Sequence, residues 1–172
     1  MAPTAAVIRP ATPADLAAVT AINAHYVAET VITFEENPPS EADWQAKLAD
    51  LTGRGLPFLV ADLGGEVAGY AYAGPWRPKP AYRHTVEDTI YLAPAHVGRG
   101  LGDALLGELV RRSEAAGLRR MIAVIADAGD DRSVALHRRH GFTEVGRLTE
   151  VGFKLGRWVD TTLMERPLAT AG

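Results

Sequence analysis

Three glycines at every second position, Gly98-Arg99-Gly100-Leu101-Gly102, separate a β-prone run from a helical one. This junction constrains the fold more than any other part of the chain. The run before it, Thr89-Ile90-Tyr91-Leu92, gives out at Pro94. The run after it carries Leu101, Leu105, Leu106, Leu109 and Val110, spaced to lie on one buried face of a helix. A further β-rich run follows at Met121–Ala126, and strand, helix, strand in that order predicts a parallel pair. Glycine lets backbone come close to a ligand, and the first amides of a helix have no internal partners. With the positive end of the helix dipole they predict a diphosphate cradle. The dinucleotide fingerprint needs G-x-G-x-x-G on an early strand with an acid about 20 residues on, and the spacing here differs. The nucleotide P-loop needs Gly-Lys-Ser/Thr, whereas Asp103 follows Gly102.

The remainder falls into short punctuated elements without repeats or low-complexity tracts. Ala5 to Arg9 reads as a first strand, and Thr12-Pro13-Ala14-Asp15 as a helix start leading through Leu16, Val19 and Ile22 towards Val27. Val31 to Glu36 is extended, Asn37-Pro38-Pro39 breaks the chain, and Ser40 with Asp43 starts a second helix ending near Gly53 to Gly55. Phe58–Ala61 and Val67–Tyr72 around Gly64-Gly65 predict a hairpin. A Pro-broken basic and aromatic loop covers 76–85, and a strand over 86–92 precedes the glycines. The long helix closes at Gly117, Val134 to His140 forms a short helix, and two last strands lie near 142–151 and 158–166. At 172 residues the chain suits a single domain, with a core over about 5–168. A net charge of −3 gives no general case for nucleic acid or anionic membrane. The absence of cysteine excludes disulfides, thiolate metal sites and a cysteine nucleophile. Without signal-peptide regions or a run of about 20 apolar residues, a cytoplasmic location is expected.

The glycine loop resembles the acyl-CoA loop of the GCN5-related N-acetyltransferases, which reads Gln/Arg-x-x-Gly-x-Gly/Ala. Gly100 and Gly102 match, and Val97 stands at the leading Gln/Arg position. The order β, α, α, β, β, β, α, β, α, β, β is similar to that fold over nearly the full chain. The resemblance implies an α/β (α+β) architecture with a mixed twisted sheet of about seven strands and about four helices. Its fourth and fifth strands are parallel but splayed, and acetyl-CoA enters between them; no metal is implied. Three separated strings are similar to the phosphinothricin and methionine sulfone or sulfoximine branch. They are Tyr72-Ala73-Gly74-Pro75-Trp76 through Tyr82 with Thr85-Val86-Glu87, Ser133-Val134-Ala135-Leu136-His137 with Gly141-Phe142, and Val151–Asp160.

The chemistry asks for a neutral amine. An α-amine with pKa of roughly 8 is only about a tenth neutral at pH 7, and the resemblance implies Glu87 as base, directly or through water. Burial raises a carboxyl's pKa and suits it to that work, whereas a solvated strand-end acid would do nothing. His137 stands where many family members carry a tyrosine that protonates the departing thiolate; an imidazole can donate to sulfur or relay a proton. A histidine in an apolar helix is as readily a satisfied packing residue. A bulge in the fourth strand is implied to free the N–H of Tyr91 or Leu92 for the oxyanion, with the same stretch through Ala93 pairing the pantetheine amides. Arg99, Gly100, Leu101, Gly102, Asp103 and Ala104 are the expected diphosphate contacts, Arg99 standing in for the charge missing at Val97. Asp130 and Ser133 occupy the places of the family's Asn-x-x-Ser pair beside coenzyme A.

For the acceptor, Arg77, Lys79 and Arg83 are candidates to pair with carboxylate or phosphinate oxygens. Trp76, Pro78, Pro80 and Tyr82 wall the same loop, and Phe34 with Glu35 falls where this fold commonly lines the acceptor site. Asp88, Thr89 and Ile90 complete the set, with Asp88 expected on the opposite face of the strand from Glu87. Lys154, Arg157 and Trp158 are assigned to the last hairpin or to a partner subunit, a homodimer being the family's habit. The expected activity is acetyl transfer to the α-amine of a small amino-acid derivative. Another amine (amino acid, polyamine or protein N-terminus) and a non-catalytic coenzyme A sensor are the competing readings.

Overall fold

Gly64 and Gly65 both take positive φ, 65° and 100°, and so turn β2 (Phe58–Leu63) tightly back into β3 (Glu66–Pro75). The computed structural model, which describes residues 5–169, builds its sheet outward from this hairpin. β1 (Val7–Pro10) borders β2, and β4 (Thr85–Leu92) borders β3. After α3 (Leu101–Ala115) come β5 (Arg120–Ala126), α4 (Arg132–Arg139), and a last hairpin of β6 (Thr143–Lys154) and β7 (Arg157–Pro167). The strand order is β1-β2-β3-β4-β5-β7-β6, antiparallel everywhere except between β4 and β5. The order of elements is the one expected from the sequence. The 31–36 stretch is extended only in part and forms no strand.

α1 (Leu16–Glu29) is entered through a 3-10 turn at Pro13–Asp15. Asp15 serves as more than a cap. Its carboxylate accepts the Thr12 N–H at 2.7 Å and both Arg9 terminal nitrogens at 2.8 Å, tying β1 to the helix start. α2 (Glu41–Gly53) has the expected capping box, with Ser40 and Asp43 bonding each other's backbone N–H.

Alternation along the strands sorts the core into two faces. Leu59, Ala61, Ala71, Ala73 and Val86 turn towards α3, where Leu101, Leu105, Leu106 and Leu109 meet them. Phe58, Val60 and Tyr70 turn the other way, onto Leu16, Val19 and Ile22 of α1 and Trp44 and Leu51 of α2. Apolar burial at about 25 cal/mol per Å² drives both.

One seam in the sheet is short. β4 and β5 pair only at Thr85–Arg120, Val86–Met121 and Glu87–Ile122. Beyond that point β4 stays paired with β3 as far as Leu92, and β5 with β7 as far as Ala126. The two strands therefore diverge from Asp88 onward, and a V-shaped gap opens towards the glycine loop. Gly69 lies opposite Leu92 at this edge. A Cβ there would sit 2.7 Å from Leu92 Cδ2 and 2.9 Å from the Tyr91 carbonyl oxygen, so only glycine lets β3 approach so closely.

Candidate active site

Glu87, Thr89 and Tyr91 alternate to the α1/α2 face of β4, and Glu87 and Thr89 line a cleft of about 240 Å³ there. Lys47, Asp50 and Leu51 of α2 and Tyr72, Gly74 and Pro75 of β3 complete its lining. Burial pushes the Glu87 carboxyl above its ordinary value, and the neighbouring Asp88 charge adds to the shift. Arg77 and Lys47 pull in the opposite direction, but more weakly. Lys47 Nζ stands 4.8 Å from the centre of the Tyr72 ring. Asp50 is bonded to Arg54 at 3.0 Å, which offsets its charge. Tyr72 opens one of the strings that resemble the phosphinothricin branch, whereas Lys47 belongs to this cleft although nothing in the sequence singled it out. The signal for Lys47 was in the helix phase: it lies three residues after the buried Trp44, on the side of α2 that meets the sheet.

Asp88 and Ile90 point to the other face, and the structure does not bring them into the cleft. Ile90 packs into the α3 core. Asp88 is buried against α4, its Oδ2 2.8 Å from His137 Nε2. His137 Nδ1 lies 2.7 Å from the Ser133 carbonyl oxygen. The His137 ring is only 2% exposed and stands edge-on to Phe142. Burial disfavours its charge, yet the Asp88 charge, the bond to Asp88 and the Ser133 carbonyl together raise its pKa. Both ring nitrogens thus have an acceptor of their own, which leaves no ring N–H free for the thiolate.

The basic loop sits mostly apart. Arg77 stacks over Trp76 at 5.1 Å and is the only member of the 76–83 stretch felt by Glu87. Lys79, Tyr82 and Arg83 are exposed, and Pro80–Tyr82 form a 3-10 turn onto whose Pro80 carbonyl Arg83 folds back. Pro78 is likewise exposed. Phe34 rests on Gly152 of β6, where a Cβ would clash with its ring. Beside it the buried Lys154 donates to the Thr33 carbonyl at 2.7 Å. The last hairpin therefore props the 30–36 segment, an arrangement the sequence did not disclose.

The expected bulge in β4 is not there: its ladder with β3 runs without a register shift from Val86 to Leu92. Divergence from β5 frees backbone groups instead. Ala93 N–H bonds Ala68 O and Trp76 N–H bonds Thr85 O, so the odd-numbered residues of β4 face β3. Asp88, Ile90 and Leu92 therefore present their N–H and C=O groups to the gap, and Tyr91 and Ala93 do not. The Leu92 carbonyl accepts the Tyr26 hydroxyl from α1.

At the mouth of the gap, Gly98 and Gly100 adopt φ of 82° and 78°, a conformation open to glycine and strained for other residues. The α3 ladder starts with Ala104 N–H on the Gly100 carbonyl, leaving the N–H groups of Leu101, Gly102 and Asp103 ahead of it. The Leu101 side chain is core. The Asp103 carboxylate is bonded to Arg139 and His140, which hold it below its usual range, so its charge is engaged elsewhere than on those amides. Arg99 reaches back, its Nη1 3.3 Å from His96 Nδ1, while His96 Nε2 meets Glu66 at 2.8 Å. Guanidinium only donates, so Nδ1 accepts and Nε2 carries the proton to Glu66. Asp130 is closed on its own Arg132, and Ser133 is exposed on the first turn of α4.

Known proteins are similar to this chain over most of its length. The model of the acetyltransferase (GNAT) family matches residues 20–142. A phosphinothricin N-acetyltransferase from Alcaligenes faecalis is 47% identical, covering 90% of this chain and 78% of that protein. An L-methionine sulfoximine/L-methionine sulfone acetyltransferase from Pseudomonas aeruginosa is 43% identical, with 92% of each covered. The crystal structure of a phosphinothricin acetyltransferase from Sinorhizobium meliloti in complex with AcCoA superposes with a TM-score of 0.91 at 49% identity. That superposition covers 95% of this chain and 89% of the other.

Proposed function

We propose that this chain, which belongs to the acetyltransferase (GNAT) family and is an acetyl-CoA-dependent N-acyltransferase, is one acetyltransferase domain, with its core over about 5–168, that acetylates the α-amine of a small amino-acid derivative of the phosphinothricin or methionine sulfone and sulfoximine kind. The observation that carries this reading is Glu87, half-buried in a cleft beside Lys47 with its carboxyl pushed up by burial. A carboxylate so placed is a stronger proton acceptor than an exposed one, and by drawing a proton from the ammonium it leaves the amine nucleophilic. Glu87 takes that proton directly or through water, the neutral nitrogen attacks the thioester carbonyl carbon, the C–S bond breaks, and the second proton shed by the nitrogen goes to solvent, from which the thiolate recovers one.

The amides of Leu101, Gly102 and Asp103 would hold the cofactor diphosphate, with Gly100 leaving room for it and Arg99 adding charge at the mouth. The open β4 edge supports pantetheine pairing at Ile90 and Leu92. The Leu92 N–H, directed into the gap, is the oxyanion donor in this reading. Lys47 and Arg77 suit the anionic groups of the acceptor, with Tyr72 and Trp76 as walls. Thiol release from acetyl-CoA across an amine panel tests the assignment. Saturable turnover confined to phosphinothricin, methionine sulfone and methionine sulfoximine is expected. Turnover only on spermidine, a peptide N-terminus or ordinary amino acids would move the acceptor assignment elsewhere, and coenzyme A binding without turnover on any amine would favour a sensor.

A homodimer and a cytoplasmic location belong to the same proposal. No helix among the described residues is long and apolar enough to cross a membrane. β6 is an outer strand of the sheet, and Val145, Leu148, Val151, Phe153, Leu155 and Trp158 of the last hairpin are all exposed. So large an apolar edge calls for a cover, and a second copy meeting it about a two-fold axis covers both at once. Light scattering is expected to give twice the chain mass for the wild type and single-chain mass for Phe153→Asp/Trp158→Asp. A wild type that stays at single-chain mass would remove the dimer.

A further inference from the structure

The strongest unassigned feature lies on the face of β4 away from the acceptor cleft. Asp88 is the first β4 residue beyond the three pairs that join β4 to β5, so its backbone stands at the apex of the gap. Its carboxylate and the His137 imidazole, 2.8 Å apart, are 2% and 3% exposed as side chains. A carboxylate in so dry a place needs a cation or must give up its charge. His137 is placed to be that cation: with Nδ1 on the Ser133 carbonyl and Nε2 on the Asp88 carboxylate, both ring nitrogens face acceptors, and only the imidazolium has two protons to donate. The second Asp88 oxygen, Oδ1, is buried and has no partner. Part of the carboxylate charge is therefore unmatched by a hydrogen bond one residue from Glu87.

We propose that Asp88 is a positioning residue for the reaction: it holds His137 as an imidazolium across the apex of the β4–β5 gap and sets the negative field beside Glu87. The proposal rests on Glu87 being the base and assigns His137 to the apex instead of to the thiolate. Mechanically the pair fastens α4 to β4 at the point where β5 lets go, which fixes how far the gap opens beneath the acetyl group. Electrostatically it keeps the negative end of the ion pair, the Asp88 carboxylate, next to a carboxyl whose work is to accept a proton. The other groups around Glu87 are Lys47 and Asp50 from α2, Tyr72 from β3 and Arg77 from the basic loop. His137 faces Asp88 and the Ser133 carbonyl, with Phe142 against its ring. The neighbouring Asp103, Arg139 and His140 are engaged with one another on the outer side of α4.

The test reads the two titrations by NMR in the free protein, before any amine is added, for the wild type and Asp88→Asn. In the wild type, His137 is expected to keep both ring protons above the ordinary histidine value of 6.5. In Asp88→Asn it should lose the second proton at lower pH, and the Glu87 acid dissociation constant should rise by at least about threefold as the neighbouring charge disappears. The acid limb of kcat should move to lower pH by the logarithm of that factor. A folded Asp88→Asn protein with both titrations unchanged would overturn the proposal. So would a wild-type His137 that titrates at or below its ordinary value, a result that stands even if the Asn variant fails to fold. Because the titrations need no acceptor, a failure on the amine panel would count against the proposed substrates and leave this measurement intact.

Discussion

Glu87→Gln is expected to cut kcat by at least tenfold, and on the order of 10²-fold below pH 7, with acetyl-CoA affinity unchanged. The amide keeps the size and hydrogen-bonding reach of the acid but cannot take a proton. The deficit should shrink as pH rises past roughly 8, where an α-amine is increasingly neutral without help. The acid limb gives the sign independently. Glu87 works as the anion, and burial favours its protonated form, so wild-type activity should fall off at a pH above the ordinary glutamate value of 4.5 as the medium is acidified. That limb should vanish in the Gln variant. A Gln variant with wild-type turnover and an unaltered pH profile would dismiss Glu87 as base. Cofactor affinity should stay put because the Glu87 side chain faces α2, whereas the glycine loop heads α3.

The second large effect is expected at the glycine loop. A side chain added at Gly100 meets nothing within 4 Å, so it would project into open space beside the first amides of α3. Gly100→Trp should place an indole where diphosphate oxygens would otherwise sit. Losing even one charge-assisted bond of about 1.5–3 kcal/mol weakens binding by roughly 10- to 100-fold, and losing several abolishes it at ordinary concentrations. Gly100→Ala serves as the companion, since it imposes the strain of a positive φ without filling the space. Equilibrium dialysis with acetyl-CoA should show severe loss for Trp and a mild one for Ala. Equal, wild-type affinity in both would end the cradle assignment.

The order of elements was legible because each boundary carries its own chemistry: Ser40 with Asp43, Gly64 with Gly65, the glycines ahead of α3. The parallel β4–β5 pair followed from the crossover alone. What escaped were contacts between segments distant in sequence. His137 and Asp88 are 49 residues apart, and no local pattern says that an imidazole will meet that carboxylate. Strand alternation separated Asp88 from Glu87 correctly, but it could not name what waited on the far side. Lys154 and Thr33 are 121 residues apart, so the propping of the Phe34 segment by the last hairpin was equally hidden. The absent bulge has a different origin. Its expected effect, a free N–H at the end of β4, is met by the divergence of β4 from β5, and the direction of each amide is a matter of strand register that sequence does not resolve.

Neighbouring residues of an extended strand look to opposite sides of the sheet, and Glu87 and Asp88 do so at the apex of the gap. In kinetic terms this gives the two reactants separate approaches. With the seats proposed above, an amine reaching Glu87 past Lys47 and Tyr72 would travel along the α2 face, while a cofactor on the head of α3 would come from the other side. Their paths would then meet in the opening between β4 and β5, and neither reactant would stand in the other's doorway.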